Sequence, residues 1–407
     1  MEDGRVDVVV AGGGPVGMTL ALALKRFAPE LSVTLVDARG LAAPRDARAT
    51  AISAGVSSVF TALDVWERMA AAASPVMAMK ITDSGKGDIF RPVFLNFEGE
   101  VAPGKPFAHM VPNTVIAEAL IAAIRAAGVE VVAPASVTGF VVEPNGARVS
   151  LKDRTQIQAT LVVAADGGKS ALRAMAGIST VGHDYGQSGL VATITHELPH
   201  GGAAFEHFLP AGPFASLPLP GNRSSLVWTE RNDEAIRLTG EGPETLAREI
   251  ESRMGSVLGK VTLEGALQAF PLSLVIARQM ISDRLALVGD AAHVIHPVAG
   301  QGLNLGIKDV AGLAEVLIGA LRVGEDFGSP LVLERYQRWR RLDVARMAAL
   351  TDGLNRLFSN DSAPLRLLRD TGLGILDRLP PLKKAMIAEA AGLVHGEGPR
   401  LLRGLSI

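Results

Sequence analysis

Gly12, Gly14 and Gly17 stand in the G-x-G-x-x-G spacing, in the run AGGGPVG that follows the apolar stretch VDVVV of residues 6–10. At this spacing the first glycine permits a tight turn, the second lets backbone approach a pyrophosphate, and the third lets helix and strand pack closely. Pro15 and Val16 lie within the turn, where the N–H groups of a starting helix face phosphate charge. Asp37, 20 residues beyond Gly17, ends a second apolar run and can accept hydrogen bonds from ribose hydroxyls. Together these residues predict dinucleotide binding, without choosing between NAD and FAD.

Three further segments carry acids, glycines or a lone arginine at the ends of apolar runs. Arg48 opens RATAI just after the second apolar run. Asp166-Gly167 follows LVVAA, and Gly289-Asp290 follows LALV, with His293, His296 and the run Gly300-Gln301-Gly302-Leu303-Asn304 further on. Asn113 stands at the head of the helical stretch NTVIAEAL, where it could also cap that helix.

The elements that must hold these residues follow from hydrophobic periodicity. Residues 6–10, Ser32–Val36, Leu161–Ala164 and Leu285–Val288 read as short buried parallel strands. A helix from about Pro15 to Phe27 carries Val16, Leu20, Leu24 and Phe27 on one stripe. A second helix opens at Gly300 and runs to about Leu321. Between about 181 and 275, apolar segments broken by Gly and Pro read as antiparallel strands, joined by a stretch near 76–107. From Pro330 the chain reads as helical, with breaks at Pro364, Pro380 and Pro381. The expected class is α/β: a Rossmann-like nucleotide domain, an inserted and mainly antiparallel sheet domain, and a helical C-terminal region. The expected division is 1–75, 108–180 and 276–330 for the first, 76–107 and 181–275 for the second, and 331–407 for the third.

The order of these segments resembles that of the group A flavoprotein monooxygenases of the p-hydroxybenzoate hydroxylase fold. The stretch His296 to Asp309 is similar to the signature HP-x-x-GQG-x-N-x-G-x-x-D of the UbiH/UbiI-like ubiquinone-biosynthesis hydroxylases, and LNRLFSNDSAPLRLLRDTGLGIL is similar to that family's C-terminal region. The resemblance chooses FAD. It implies Arg48 near the FAD, Asn113 and Asp290 on the ribityl chain, and Leu303 and Asn304 presenting backbone N–H groups to the flavin pyrimidine ring. It also implies Asp166-Gly167 near both FAD and a transiently bound NAD(P)H. Gly300 and Gly302 leave backbone bare enough for a ring to approach, and a helix N-terminus, carrying roughly half a positive charge, favours the anionic reduced flavin. The implied reaction uses O₂ to hydroxylate the ring of a polyprenylated phenol or benzoquinol of ubiquinone biosynthesis. No residue is singled out as catalytic; Tyr185 is the only tyrosine between 181 and 275.

Other readings stay open. A small soluble aromatic or other apolar compound could be the substrate, the chain could be a flavin reductase or dehydrogenase, or it could be a non-catalytic FAD-binding assembly protein. Only one complete dinucleotide fingerprint is present, whereas a reductase with its own NAD(P)H domain would show two. Asp290, His293 and His296 fit no zinc-helix motif, so no metal is expected. Gly168-Lys169-Ser170 mimics the end of a P-loop, but Val163 stands where its first glycine should be.

Composition sets outer bounds. The 407 residues carry a formal net charge of −2, which offers no bulk attraction for nucleic acid, and no cysteine, which removes disulfides and thiolate chemistry. Glu2 and Asp3 precede a run that leads into glycines rather than a cleavage site, so a cytoplasmic location is expected. The mean hydropathy of +0.27 allows an apolar substrate or a peripheral membrane habit. Leu365–Leu382, mixing leucines with Arg366, Arg369 and Arg378, could meet an anionic membrane or pack on the protein; other ubiquinone-biosynthesis proteins are possible partners. Arg335, Arg338, Arg340, Arg341 and Arg346, interleaved with Tyr336 and Trp339, read as a solvated helix face.

Overall fold

A computed structural model of the chain describes residues 5–45, 47–83, 93–98, 100–102, 105–297, 300–359, 391–392 and 398–407. Strand β1 (Arg5–Ala11) leads into helix α1 (Pro15–Phe27) and then strand β2 (Val33–Val36). β1 pairs in parallel with β2 on one side and with Gln156–Ala164 on the other. Glu130–Val132 extends the parallel array beyond β2, and Leu285–Leu287 extends it beyond the far half of Gln156–Ala164. The near half of that strand pairs antiparallel with Gly146–Leu151, which pairs with Val137–Glu143. Val8–Ala11, Val33–Val36, Leu161–Ala164 and Leu285–Leu287 are buried, as their apolar runs require of a sheet covered on both faces.

A second sheet runs in the order His293–Val294, Val261–Ala277, Thr180–His196, Arg223–Arg231, Gly212–Leu219, Ala203–Leu209, Ala78–Asp83 and Val93–Glu98. All its pairings are antiparallel except that between Ala203–Leu209 and Ala78–Asp83, which is parallel. One face buries Leu190, Phe214, Leu226 and Trp228 against helices Asn232–Thr239 and Pro243–Met254. Those two helices fall in a region read from sequence as strands alone. Pro243 follows Gly242 at a helix start, and Asp233 and Glu234 occupy the first turn of the other helix, so the start signals were present.

A small sheet joins strand β3 (Ala49–Ser53) to Ala108–Pro112 and Ser74–Val76, and Glu100–Ala102 pairs with Lys105–Pro106 alone. The stretch 76–107 is therefore shared among three sheets rather than given to one. The helix opened by the second glycine run spans Gln301–Arg322, and a long helix spans Pro330–Phe358. The three proline breaks, Leu365–Leu382 and most of the LNRLF segment lie outside the described residues.

On the long helix, Arg335, Arg338, Arg341 and Arg346 are exposed, but Arg340 is buried at 4% exposure and Tyr336 completely. The expected solvated face is corrected at these two positions. Both reach inward: the Tyr336 hydroxyl donates to the Leu287 carbonyl at 2.7 Å, and Arg340 meets Asp309 on Gln301–Arg322.

Close backbone approaches set the spacing of the layers. A methyl group built on Gly17 would lie 2.0 Å from the Gly12 carbonyl oxygen, and one on Gly306 would lie 2.7 Å from a Val16 methyl. Val16 thus fills the crossing of α1 and Gln301–Arg322, the contact that brings the two glycine clusters together. On Gly14 (φ −74°) the same methyl would meet nothing within 4 Å. Gly17→Ala should therefore cost about 1–3 kcal/mol of stability through overpacking. Gly14→Ala should stay within about 0.5 kcal/mol of the wild type. Urea unfolding of the two variants checks both.

Candidate active site

Two helix N-termini open toward the surface at the ends of the parallel strands. At α1, Gly14 holds the cap position without a side-chain cap, Pro15 follows, and the first turn contains no acid. At Gln301–Arg322, Gly300 is the cap in the left-handed region (φ 63°), again with no side-chain cap and no acid in the first turn. A methyl group on Gly302 would also meet nothing within 4 Å. Both ends combine positive dipole ends with bare backbone, which suits an anion at one and an electron-rich ring edge at the other.

Asp37 accepts from the Gly13 N–H at 2.7 Å and from the Arg39 N–H at 2.8 Å, which fixes its carboxylate beside the glycine turn. Asp166 accepts from the N–H groups of Ala171 and Leu172 at 2.9 and 3.2 Å, so one of its oxygens caps the short helix Ala171–Met175. Its other oxygen is buried with no partner. Lys169 is exposed in the turn before that helix.

Asn113 does not cap its helix: Pro112 holds the cap position, and the Asn113 side-chain oxygen accepts from the Thr50 hydroxyl at 2.7 Å. Its N–H donates to the Arg48 carbonyl at 2.9 Å, so Asn113 and Arg48 are neighbours at one end of the small sheet. The Arg48 guanidinium lies 4.7 Å from the centre of the Phe270 ring, on the second sheet. Asn304 is buried and bonds strand β3 as another strand would: its oxygen accepts from the Ser53 N–H at 3.0 Å, and its amide donates to the Ala51 carbonyl at 2.8 Å. The amide also reaches the Gly300 carbonyl at 3.3 Å. This side chain fixes the mouth of the second helix against the segment that carries Arg48. Leu303 is half-buried in the first turn.

Asp290 projects from a 3₁₀ turn, Gly289–Ala291, and is reachable by solvent. The protein surrounding it still desolvates the carboxylate and raises its pKa, against the pull of His293 and Arg48. Behind it lies a buried network that sequence reasoning left unassigned. Asp309 accepts from the Gly289 N–H at 2.9 Å, His293 Nε2 at 2.6 Å and Arg340 Nε at 2.7 Å. Burial alone would raise its pKa, but His293 and Arg340 carry it below the ordinary value. Arg340 also pairs with Asp343, and Lys308 approaches the same carboxylate at 3.8 Å. One signal was available in the sequence: a charged pair, Lys308-Asp309, set between Leu305, Ile307, Val310 and Ala311 must find partners.

His296 is completely buried, packs edge-on to Tyr185 at 5.0 Å, and has no partner for either ring nitrogen. Burial lowers its pKa to about 4, so it is neutral near pH 7. Tyr185 donates to Asp352 at 3.1 Å. Among the described residues no three of His, Asp and Glu converge as metal ligands.

The parallel sheet with its glycine-turn helix, the second glycine-opened helix and the second, mainly antiparallel sheet define an FAD-binding α/β protein. The family model described as FAD binding domain matches residues 5–351, and the chain belongs to that family. It is 42% identical to "Ubiquinone hydroxylase UbiL" of Rhodospirillum rubrum, over all of this chain and 94% of that one. It is 35% identical to "3-demethoxyubiquinol 3-hydroxylase" of Escherichia coli, over 97% of this chain and all of that one. The crystal structure of p-nitrophenol 4-monooxygenase from Pseudomonas putida superposes with a TM-score of 0.77 at 18% identity, covering 95% and 98% of the two chains, which shows a shared fold. The expected family, fold class and FAD cofactor are borne out.

Arg340→Leu would leave the buried Asp309 without one of its charge partners and should cost about 3–5 kcal/mol. Arg335→Leu breaks the exposed, solvent-screened pair with Glu325 and should leave the unfolding midpoint nearly unchanged. Chemical denaturation of the two variants side by side tests the contrast.

Proposed function

We propose that this chain is an FAD-dependent hydroxylase that uses NAD(P)H and O₂ to oxygenate a polyprenylated phenol or benzoquinol of ubiquinone biosynthesis. The observation that carries this reading is the near full-length similarity to two proteins named for hydroxylation of ubiquinone or its precursor. The open helix mouths support it physically. They offer backbone N–H groups where a pyrophosphate and a flavin ring would need them, and no side chain fills the space over Gly14 or Gly302.

In this reading Gly12, Gly14, Pro15, Val16 and Gly17 form the pyrophosphate turn, and Asp37 takes the adenosine ribose. Asp290 and Asn113 hold the ribityl chain, with Arg48 and Asp166 beside it. Gly300, Gly302, Leu303 and Asn304 receive the ring. FAD, when bound, supplies the redox chemistry: it accepts electrons from NAD(P)H and passes them to O₂. The protein supplies position, a dry roof and a positive helix end. The roofing sheet turns Ala215, Leu217 and Val227, each partly exposed, away from its covering helices, an apolar lining suited to an aromatic ring.

The same reading divides the chain into a flavin unit (1–75, 108–180 and 276–330), a substrate unit (76–107 and 181–275) and a C-terminal unit (331–407). Among the described residues no helix is long and apolar enough to cross a membrane. We place the protein in the cytoplasm, in peripheral contact with the membrane that holds a prenylated substrate and in reach of other ubiquinone-biosynthesis proteins.

The purified protein should oxidise NAD(P)H faster with a prenylated phenol and, under ¹⁸O₂, should add one labelled oxygen to its ring, as read by mass spectrometry. Preference for a water-soluble phenol would move the substrate class. NAD(P)H oxidation that yields only peroxide with every phenol would make the chain a reductase. No oxidation at all would leave an assembly protein.

A further inference from the structure

Glu206 stands on the strand Ala203–Leu209 and is 7% exposed. Its neighbours in the strand, Phe205 and His207, belong to the opposite face, where Phe205 packs against the core under the two covering helices. Glu206 therefore shares the inner face with Ala204 and Phe208. Ala204 packs in one cluster with Ala49, Ala51, Ala54 and Leu217, against strand β3, which Asn304 binds. Phe208 stacks on Phe358 of the long helix, with ring centres 4.0 Å apart. Across the sheet Glu206 is opposite Ala215 and Ile81. Among the described residues no hydrogen bond or ion pair reaches its carboxyl.

A buried acid without a hydrogen-bond partner is costly unless it serves a ligand. An ionised carboxylate can only accept hydrogen bonds, so the ligand group it suits is a donor such as a hydroxyl. We propose that Glu206 is the catalytic base that takes the phenolic proton of the substrate, an inference that rests on the hydroxylase reading above. The substrate O–H bond breaks and its electron pair stays on the oxygen. The proton forms a new O–H bond on Glu206, and the resulting phenolate is the more nucleophilic ring.

Burial pushes the Glu206 carboxyl up to about 7, where a base for a phenol is useful near neutral pH. On the neighbouring strand Asp83 holds the register position opposite Phe208, on the same face as Glu206. Four other titratable side chains of the packed elements are turned away or engaged. His207 lies on the opposite face and meets Thr82 at 2.5 Å, Lys80 sits over Phe205, and His109 packs on Trp66. Asp352 is paired with Arg356 and bonded to Tyr185, and the facing residues of Gly212–Leu219 carry no charge.

The test compares wild type with Glu206→Gln and Glu206→Asp, each purified with its FAD occupancy checked by absorbance. Wild-type kcat/KM for phenol hydroxylation should rise with pH through about 7 and then level. Glu206→Gln should lose that inflection and fall about 100-fold at pH 8, and Glu206→Asp should recover part of both. A second readout needs no turnover. The folded carboxyl holds its proton up to about 7 against an ordinary value of 4.5. Stability should therefore fall as pH rises across that window, so the wild-type Tm should drop from pH 5 to pH 8 relative to that of Glu206→Gln.

A Gln variant that keeps the wild-type rate and inflection overturns the assignment, as does a Tm difference that does not change with pH. If wild type hydroxylates no phenol while the Tm difference behaves as expected, the hydroxylase reading fails. The catalytic role of Glu206 then falls with it, and only its buried ionisation stands.

Discussion

The buried Asp309 carboxylate holds the centre of this molecule together. It gathers three donors from three parts of the chain: the Gly289 N–H at the end of a central strand, His293 on the strand that joins the roofing sheet, and Arg340 on the long helix. Taking one carboxylate and one guanidinium out of water is expensive, and the arrangement is stable only because nearly every donor and acceptor is matched. The geometry of Asp290 follows from it. The 3₁₀ turn that presents Asp290 to the cleft is pinned from behind by the Gly289 bond, and its spacing from α1 is fixed by Val16 between Gly289 and Gly306.

Around that anchor, most of the candidate site is backbone. Two helix starts with glycine caps and no acids in their first turns offer dipole and N–H groups rather than side-chain chemistry. Side chains serve as struts. Asn304 joins the second helix to strand β3, and Asn113 is tied to the same strand by Thr50 and to Arg48 through backbone. Such a design suits a cofactor that brings its own reactivity and needs position, exclusion of water and a bias on its charge.

Features set by local rules were legible in the sequence. The turn at Gly12–Gly17, helix α1 to its last residue, and the helix opened by Gly300 depend on glycine, proline and a 3.6-residue period, all visible within short windows. Features set by distant partners were not. Arg340 lies among exposed arginines in sequence and is drawn inside by Asp309, 31 residues away and on another helix. Asn113 carried a capping residue's signature, yet Thr50 claims its oxygen across a sheet that short strands rich in alanine did not announce. Glu206 sits in AFEHFL, where alternation places it on a face without saying that the face is apolar and closed.

The central claim is that FAD spans both helix mouths, with its pyrophosphate over α1 and its ring over the start of Gln301–Arg322. Titrating FAD and FMN into apoprotein, followed by flavin fluorescence, tests it most directly, with Gly14→Val measured alongside. FAD should bind tightly, FMN, which lacks the adenosine half, far more weakly, and Gly14→Val should weaken FAD by about 3 kcal/mol, roughly a hundredfold. If FMN matched FAD, or if Gly14→Val bound FAD as the wild type does, the pyrophosphate would not lie over α1 and the account of the site would be wrong.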